Sequence, residues 1–437
     1  MSDAREQLEQ ALVDARDRST ALTTLPDDEL VAMHSPLMSP LVWDLAHVAN
    51  YEELWLARAA LGLAAFRPEL DDLYDAFAHP RAERPALPIL RPAEARSYAL
   101  AVRERAWASL DLIEHGDAEL VRDGFVHAMV AQHEQQHAET MLATHQLRAG
   151  AAILTDGVVL PTAPPHGEPN DVLVAAGPFQ VGTSTDPWAL DNERPAHWVD
   201  VPAFRIDVHP VSNAQFAAFI DAGGYDNEGL WTAEGWAHRN AESLELPAFW
   251  HRDGAGWFTR RRFGRIEALP PDEPVQHVTF HEACAYARWR GRRLPTEAEW
   301  EKACGWDPDA GTARRFPWGA GDPTPELANL AYDPRRAALR PAPVGAYPAG
   351  ASAYGVEQLI GDVWEWTSSA FNGYPGFRAW PYPEYSQVFF GTEYRVLRGG
   401  SWASHPSAVR TTFRNWDFPI RRQIFAGFRT ATSVEGD

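Results

Sequence analysis

Residues 132–141 read Gln132-His133-Glu134-Gln135-Gln136-His137-Ala138-Glu139-Thr140-Met141, without Pro or Gly. The stretch lies inside a run of helical apolar spacing that includes Phe125, Ala128, Met129, Met141 and Leu142. Continued at that period, the apolar stripe passes through His133, Gln136 and His137. A stripe that is oily at both ends and polar in its middle is not a plain core helix, because buried polar groups need partners. Two imidazoles four residues apart on one helical face can share an ion. The less favoured reading is two half-buried, hydrogen-bonded histidines, since so short a motif carries a false-positive risk. A metal site needs a third ligand from elsewhere in the chain.

Upstream of this helix the sequence predicts three more. Leu8, Ala11, Leu12, Ala15 and Leu22 mark an amphipathic helix from Ala4 to about Leu22. Ser39-Pro40 opens a second, with Ser39 as the cap and Pro40 at the first helical position. It runs through Leu41-Val42-Trp43-Asp44-Leu45-Ala46-His47-Val48, and His47 stands near its inward face. A third begins near Pro92 and carries Leu100, Trp107, Leu110 and Ile113. Four long helices before residue 150 suggest a bundle, where metal sites are built from facing helices. His47 is the candidate third ligand, although a lone helical histidine is more often structural. Between the second and third helices, His79-Pro80-Arg81-Ala82-Glu83-Arg84 reads as a solvated loop. Its arginines are also candidate clamps for a carboxylate.

His133-Glu134-Gln135-Gln136-His137 also matches H-E-x-x-H, the zinc-peptidase motif in which Glu is the general base. Against that, Thr140 and Ala143 stand where the extended motif wants Gly and His. Helical geometry places Gln136 on the histidine stripe and turns Glu134 away from it. Imidazole ligands suit zinc, copper, iron and nickel alike, so the histidines alone do not choose the metal.

Pro161 to Asn170 is Pro-rich and marks the clearest domain boundary. The expected division is a bundle over 1–152, a linker over 153–172 and a second domain over 173–437. In the second half, strand-like pieces at 171–174, 179–182 and 198–204 are interrupted by two helices, at 214–220 and 282–289. Gly361-Asp362-Val363-Trp364-Glu365-Trp366 and Arg398-Gly399-Gly400-Ser401-Trp402 repeat a Trp and Gly theme. Irregular segments pinned by buried aromatics suit an α+β domain. Phe413-Arg414-Asn415-Trp416-Asp417-Phe418-Pro419-Ile420-Arg421-Arg422-Gln423 reads in two ways. It is a structural ion-pair network, or a zwitterion pocket with Trp416 facing a cation and Asp417 and Arg421 pairing an amine and a carboxylate.

A formal net charge of −21 argues against nucleic acid or an anionic membrane as partner. Cys284 and Cys304 are the two cysteines, with no metal or redox spacing, as expected of reduced core thiols in a cytoplasmic protein. The charged N-terminus lacks the apolar run of a signal peptide.

Three family-specific motifs then stand out: Ser39-Pro40-Leu41-Val42-Trp43-Asp44-Leu45-Ala46-His47, the run from Tyr74 to Arg84, and the run from Phe413 to Gly427. The first half resembles a DinB-like four-helix bundle. The second resembles a formylglycine-generating-enzyme domain, a variant of the C-type lectin fold, through Arg293 to Glu301, Gly361 to Trp366, Arg398 to Trp402 and Ala426 to Arg429. In this order the two are similar to the iron(II)-dependent sulfoxide synthases of ergothioneine biosynthesis. That resemblance implies oxygen-dependent joining of γ-glutamylcysteine to N-α-trimethylhistidine (hercynine), with oxidation to the sulfoxide. It implies Fe(II) on His47, His133 and His137, and trimethylhistidine against Gln136, Asn415 and Trp416. It further implies γ-glutamylcysteine on Arg81, Arg84, Asp417 and Arg421, with Tyr382 as the proton donor and Tyr385 lining the pocket. The partners expected are these small molecules and dioxygen, with no nucleic acid or membrane, for a monomer. Free cysteine in place of the dipeptide, a zinc peptidase and a non-catalytic lectin-like binder are the alternatives. Ala403-Ser404-His405 follows Trp402 where the reactive cysteine of true formylglycine-generating enzymes would stand, so the resemblance implies that fold without its chemistry.

Overall fold

The computed structural model describes residues 3–116, 118–163, 170–254 and 256–434. Met1 and Ser2 of the charged N-terminus, and residues 164–169 of the Pro-rich stretch, lie outside the described residues. The chain divides into two compact units, Met1–Leu154 with Asp333–Arg335, and Thr155–Tyr332 with Arg336–Asp437.

In the first unit the main helices are Asp3–Leu22, Leu41–Glu52, Pro92–Ala106 and Phe125–Leu147. The first lies against the last, and the second touches both the third and the last. Leu8, Leu12, Leu45, Val102, Met129 and Met141 are buried between them. The Leu41–Glu52 helix runs on into a π-helical stretch, Glu53–Ala60.

Two local expectations change. The second helix is capped by Pro40, not Ser39, and no side chain bonds its first N–H groups. Ser39 Oγ instead accepts a 2.6 Å hydrogen bond from Arg84 Nη1, so the hydroxyl serves the loop and not the helix. In the third helix the apolar stripe does not run from Leu100 to Ile113. Leu100 is 66% exposed, while Tyr98, Ala99 and Val102 face inward. The α-helix stops at Ala106 and the chain tightens into a 3-10 turn, Trp107–Asp111. That change of pitch resets the angle between residues on either side, so a single 3.6-residue period cannot span it.

The second unit is built from short pieces. Its largest sheet orders Asn415–Asp417, Arg395–Arg398, Trp364–Ala370 and Ala426–Gly427, antiparallel except for the last pair. Phe204–Asp207 is the centre of a three-stranded sheet between Asp171–Val174 and Ala431–Ser433. The strand expected over 198–204 is two strands in different sheets, His197–Val201 and Phe204–Asp207. Pro202 lies in the break, and a proline has no N–H to give a ladder. Beyond Asn213–Asp221 and Phe280–Trp289 there are two further helices, Ala233–Ala241 and Glu297–Gly305. Both had legible starts: Thr232 accepts from Gly235 N, and Thr296 and Glu299 form a capping box. Residues after Thr155 already belong to this unit, where Asp156 Oδ1 accepts from Arg262 Nη1 at 2.7 Å.

Trp300, Trp366 and Trp402 are core, and the indole N–H of each has a partner. Trp300 Nε1 donates to Glu365 at 2.8 Å, Trp366 Nε1 to the Val278 carbonyl at 3.0 Å, and Trp402 Nε1 to Gln276 at 3.2 Å. Beside them lie buried arginine–glutamate pairs. Arg429 grips both oxygens of Glu365 at 2.7 Å, and Arg414 grips Glu297 at 2.6 and 2.9 Å. Aromatics therefore share with ion pairs the work of fixing irregular backbone. Removing one partner of such a pair costs about 3–5 kcal/mol, because the other is left charged in a dry interior.

Candidate active site

His47 comes from the second helix of the first unit, and His133 and His137 from one face of the last. Their ligand atoms all lie within 4.8 Å of one another. Among the described residues this is the one group of three or more His, Cys, Asp or Glu side chains close enough to hold an ion. Hydrogen bonds fix the tautomer of two members. His47 Nδ1 lies 2.7 Å from the Tyr74 carbonyl oxygen, which can only accept, so Nδ1 carries the proton and Nε2 keeps its lone pair. His137 Nδ1 lies 3.2 Å from Asp44 Oδ1, which fixes it the same way. Orienting partners of this kind accompany metal-bound histidines.

Flat contacts hold the rings. His133 stacks on Tyr51 with centroids 3.7 Å apart, and His47 stacks on Trp43 at 4.7 Å. Burial first, then the neighbouring His137, holds the His47 and His133 imidazoles well below their ordinary pKa. Both are neutral at neutral pH, the form that binds a cation. His133 Nδ1 is buried with no protein partner. Three imidazole nitrogen donors and a buried, unsatisfied imidazole atom fit a divalent transition metal, and the triad can bind one. Gln136 is half-buried on the same helix.

Glu134 sits one residue from His133 but in a different environment. It is 1% exposed, and its Oε1 accepts from Arg16 Nε at 2.7 Å, with Arg103 Nη2 at 3.5 Å from Oε2. Arg16 and Arg103 also bind Glu52, at 2.7 and 2.6 Å. Burial works to raise the Glu134 carboxyl, but Arg16 and Arg103 hold it below the ordinary carboxylate range. A carboxylate locked between two arginines and outside the ligand cluster is no general base for a metal-bound water. The peptidase reading loses its base.

Arg81 and Arg84 share a 3-10 turn but differ. Arg81 is exposed, and its Nη1 reaches the Leu37 carbonyl at 3.0 Å. Arg84 is 4% exposed and donates to the His79 and Ala76 carbonyls, both at 3.0 Å, and to Ser39. Its guanidinium lies 3.6 Å from the centroid of Trp43, the ring behind His47. Arg84 thus forms the outer layer of a stack that ends on a metal-ligand candidate, with three of its five N–H groups committed to the protein.

In the second unit, Trp416 stacks on Phe371 at 4.1 Å and meets Tyr385 edge-on at 6.0 Å. Tyr382 and Tyr385 lie 6.2 Å apart, also edge to face. Asn415 accepts from the Trp416 N–H at 2.8 Å. Asp417 Oδ1 lies 3.7 Å from Arg421 Nε, while Arg421 Nη1 is buried without a protein partner. The two readings of this cluster therefore divide by residue. Arg414 belongs to the structural network with Glu297, whereas Arg421 keeps a buried donor uncommitted.

The first unit matches the DinB superfamily over residues 11–141, and residues 158–434 match the sulfatase-modifying factor enzyme 1-like domain. A Mycolicibacterium smegmatis protein named hercynine oxygenase is 55% identical, covering 99% of this chain and 100% of the relative. Its Mycobacterium tuberculosis namesake is 53% identical over 98% of this chain and 99% of its own length. The chain belongs to the hercynine oxygenase family. It is an oxygen-dependent oxidoreductase, with a DinB-like helical region followed by a formylglycine-generating-enzyme-like domain.

The formylglycine-generating enzyme of Streptomyces coelicolor is 33% identical across 63% of this hercynine oxygenase family member and 93% of that enzyme. The cysteines here do not carry thiol chemistry. Burial pushes both Cys284 and Cys304 up to about 12, leaving them protonated and inert. Sequence reasoning missed the residues that orient the ligands: Asp44, Tyr51, Trp43 and Tyr74. Trp43 and Asp44 had a local signal, four and three residues before His47 in the same motif. The others contribute a ring face or a carbonyl, which no residue type announces. No described helix is long and apolar enough to cross a membrane.

Proposed function

We propose that this member of the hercynine oxygenase family is a cytoplasmic, monomeric iron(II) sulfoxide synthase that couples γ-glutamylcysteine to trimethylhistidine. The observation that carries the reading is a cluster of three imidazoles with no carboxylate among its ligand atoms, beside a Glu134 that is locked away. Such a ligand set would hold an iron(II) ion through His47, His133 and His137 and leave it open to exchangeable groups. In the net reaction, the thiol S–H and one imidazole C–H are lost and a C–S bond forms. One oxygen atom ends on sulfur and the other leaves as water, so dioxygen takes up four electrons. Iron(II), when bound, supplies the one-electron chemistry that lets dioxygen react with these substrates.

The chain's residues do the rest. His47, His133 and His137 hold the metal, with Asp44 and the Tyr74 carbonyl fixing which nitrogen faces it. Trp416 offers an aromatic surface to the quaternary ammonium of trimethylhistidine, and Asn415 and Gln136 bind its polar atoms. Arg421 directs its uncommitted donor to a carboxylate of γ-glutamylcysteine, with Asp417 pairing its amine and Arg81 and Arg84 binding it further. Tyr382 holds a proton on its phenol for dioxygen as it is reduced, steering the reaction from plain thiol oxidation, and Tyr385 lines the pocket. Incubation in air with iron(II), trimethylhistidine and γ-glutamylcysteine, followed by mass spectrometry, should give the coupled sulfoxide. Oxygen uptake should require both substrates, and free cysteine should serve less well than the dipeptide. Zinc-dependent peptide hydrolysis without sulfoxide would reverse the reading.

A further inference from the structure

Tyr382 and Tyr385 sit in a stretch with little regular structure, one 3-10 turn at Pro383–Tyr385 and another at Gln387–Phe389. What holds it comes from far away in the chain. Asp191, 3% exposed, accepts a 2.7 Å hydrogen bond on Oδ1 from Ser386 Oγ and a 3.3 Å bond on Oδ2 from the Trp380 N–H. One carboxylate therefore pins the backbone just before Tyr382 and the side chain just after Tyr385. Ser386 is fully buried, so solvent does not compete for its hydroxyl.

The next two residues reach the other side of the aromatic cluster. The Asn192 carbonyl accepts from Arg414 Nη1 at 2.8 Å, and Arg414 immediately precedes Asn415 and Trp416. Glu193 Oε2 accepts from Arg410 Nε at 2.7 Å and from Thr412 Oγ1 at 2.6 Å. Asp191, Asn192 and Glu193 form one 3-10 turn, and all three are buried. Three consecutive residues thus join the tyrosine-bearing loop to the segment that leads into the Trp416 strand. Within the tyrosine stretch, Tyr385 and Phe389 meet the Trp416 ring at 6.0 and 5.4 Å, and the buried turn anchors the backbone that carries them.

We infer that the Asp191–Glu193 turn is a positioning element: it sets where Tyr382 and Tyr385 stand against Trp416, and through that placement decides whether the thiol is coupled or only oxidised. The inference rests on the reading of Tyr382 as the proton donor. Coupling yields the sulfoxide and water, whereas the misdirected reaction adds both oxygen atoms of dioxygen to the thiol and gives a sulfinate. Asp191 touches neither product and acts only through the loop.

The test compares Asp191→Ala, Asp191→Asn, Ser386→Ala and Tyr382→Phe in the full-length, iron-loaded protein. Hydrogen exchange over residues 380–390 reads the loop directly. Asp191→Ala should quicken it by about tenfold or more, with the bundle helices unchanged. Products are read by mass spectrometry: Asp191→Ala and Ser386→Ala should shift the ratio toward sulfinate, in the direction of Tyr382→Phe. The rate of coupling should fall about tenfold with KM for both substrates within about twofold, the pattern of misplaced chemistry and not of lost binding. Asp191→Asn should restore most coupling, since its amide oxygen can accept from Trp380 and its amide N–H can donate to Ser386 Oγ. If the loop loosens but the product ratio stays wild-type while Tyr382→Phe shifts it, the inference is overturned. Unchanged exchange in both Asp191→Ala and Ser386→Ala overturns it as well. Wild-type products from Tyr382→Phe would sink the proton-donor reading by itself, a result separable from either of these.

Discussion

The histidine cluster and the aromatic cluster are built by opposite means. The first places two histidines on one long helix and the third on a neighbour, so its geometry is that of rigid rods with a known pitch. Asp44 is the carboxylate at its imidazoles, and the arginine–glutamate network of Arg16, Glu52, Arg103 and Glu134 is segregated from them. The second hangs its tyrosines on short turns and its tryptophan on a three-residue strand. There, charged pairs such as Arg414–Glu297 and Arg410–Glu193 stand in for regular structure. Binding a metal needs donors fixed to a fraction of an ångström, which helices supply. Recognising two substrates needs varied groups converging from several segments, which loops supply when something buried anchors them.

The sharpest way to break this contrast is at the ligands. His47→Ala, His133→Ala or His137→Ala should drop metal content from about one ion per chain to near zero, since each ligand is a third of the protein's hold. Elemental analysis with circular dichroism would check it, and a folded, fully loaded variant would mean the cluster is structural. Next in size is Glu134→Gln, which leaves Arg16 and Arg103 partly uncompensated in a dry interior. It should cost about 3–5 kcal/mol in urea unfolding while the folded fraction keeps its metal. Lost activity with unchanged stability would instead revive a catalytic role for Glu134.

Smaller effects separate holding a substrate from holding the fold. Arg421→Leu removes a buried donor and should raise KM for γ-glutamylcysteine by roughly 10–150-fold, the equivalent of about 1.5–3 kcal/mol, leaving KM for trimethylhistidine nearly unchanged. Arg81→Leu should do the same, and Arg84→Leu should in addition weaken metal retention, because the stack on Trp43 and His47 loses its outer layer. Equal weakening for both substrates at Arg421 would make it a structural arginine. Asp44→Asn keeps the shape beside His137 but removes the charge from the carboxylate that orients it. Metal affinity should fall about 10–100-fold with little change in stability, as a chelator titration would show. The smallest change in binding belongs to Tyr382→Phe, expected to alter only the ratio of sulfoxide to sulfinate. If Tyr385→Phe does that instead, the proton donor is the other tyrosine.

The sequence by itself determined the helix of residues 125–147, the four-helix layout and the two histidines on one stripe. Helical periodicity is a local property, and a spacing of four is a distance whatever the helix meets. It also determined that Glu134 leaves that stripe. What it leaves to was a matter for the tertiary structure, because Arg16 and Arg103 come from two other helices. The same holds for the cap at Pro40, since Ser39 was drawn off by an arginine 45 residues away. In the second unit, helix starts with capping boxes were legible, but sheet order was not, because a strand of three residues such as Asn415–Asp417 carries no period. Which arginine of the run from Arg414 to Arg422 is brace and which keeps a donor uncommitted depends on carboxylates up to 117 residues distant. Charge is visible in a sequence, but whether a charge already has a partner is decided only when the chain has folded around it.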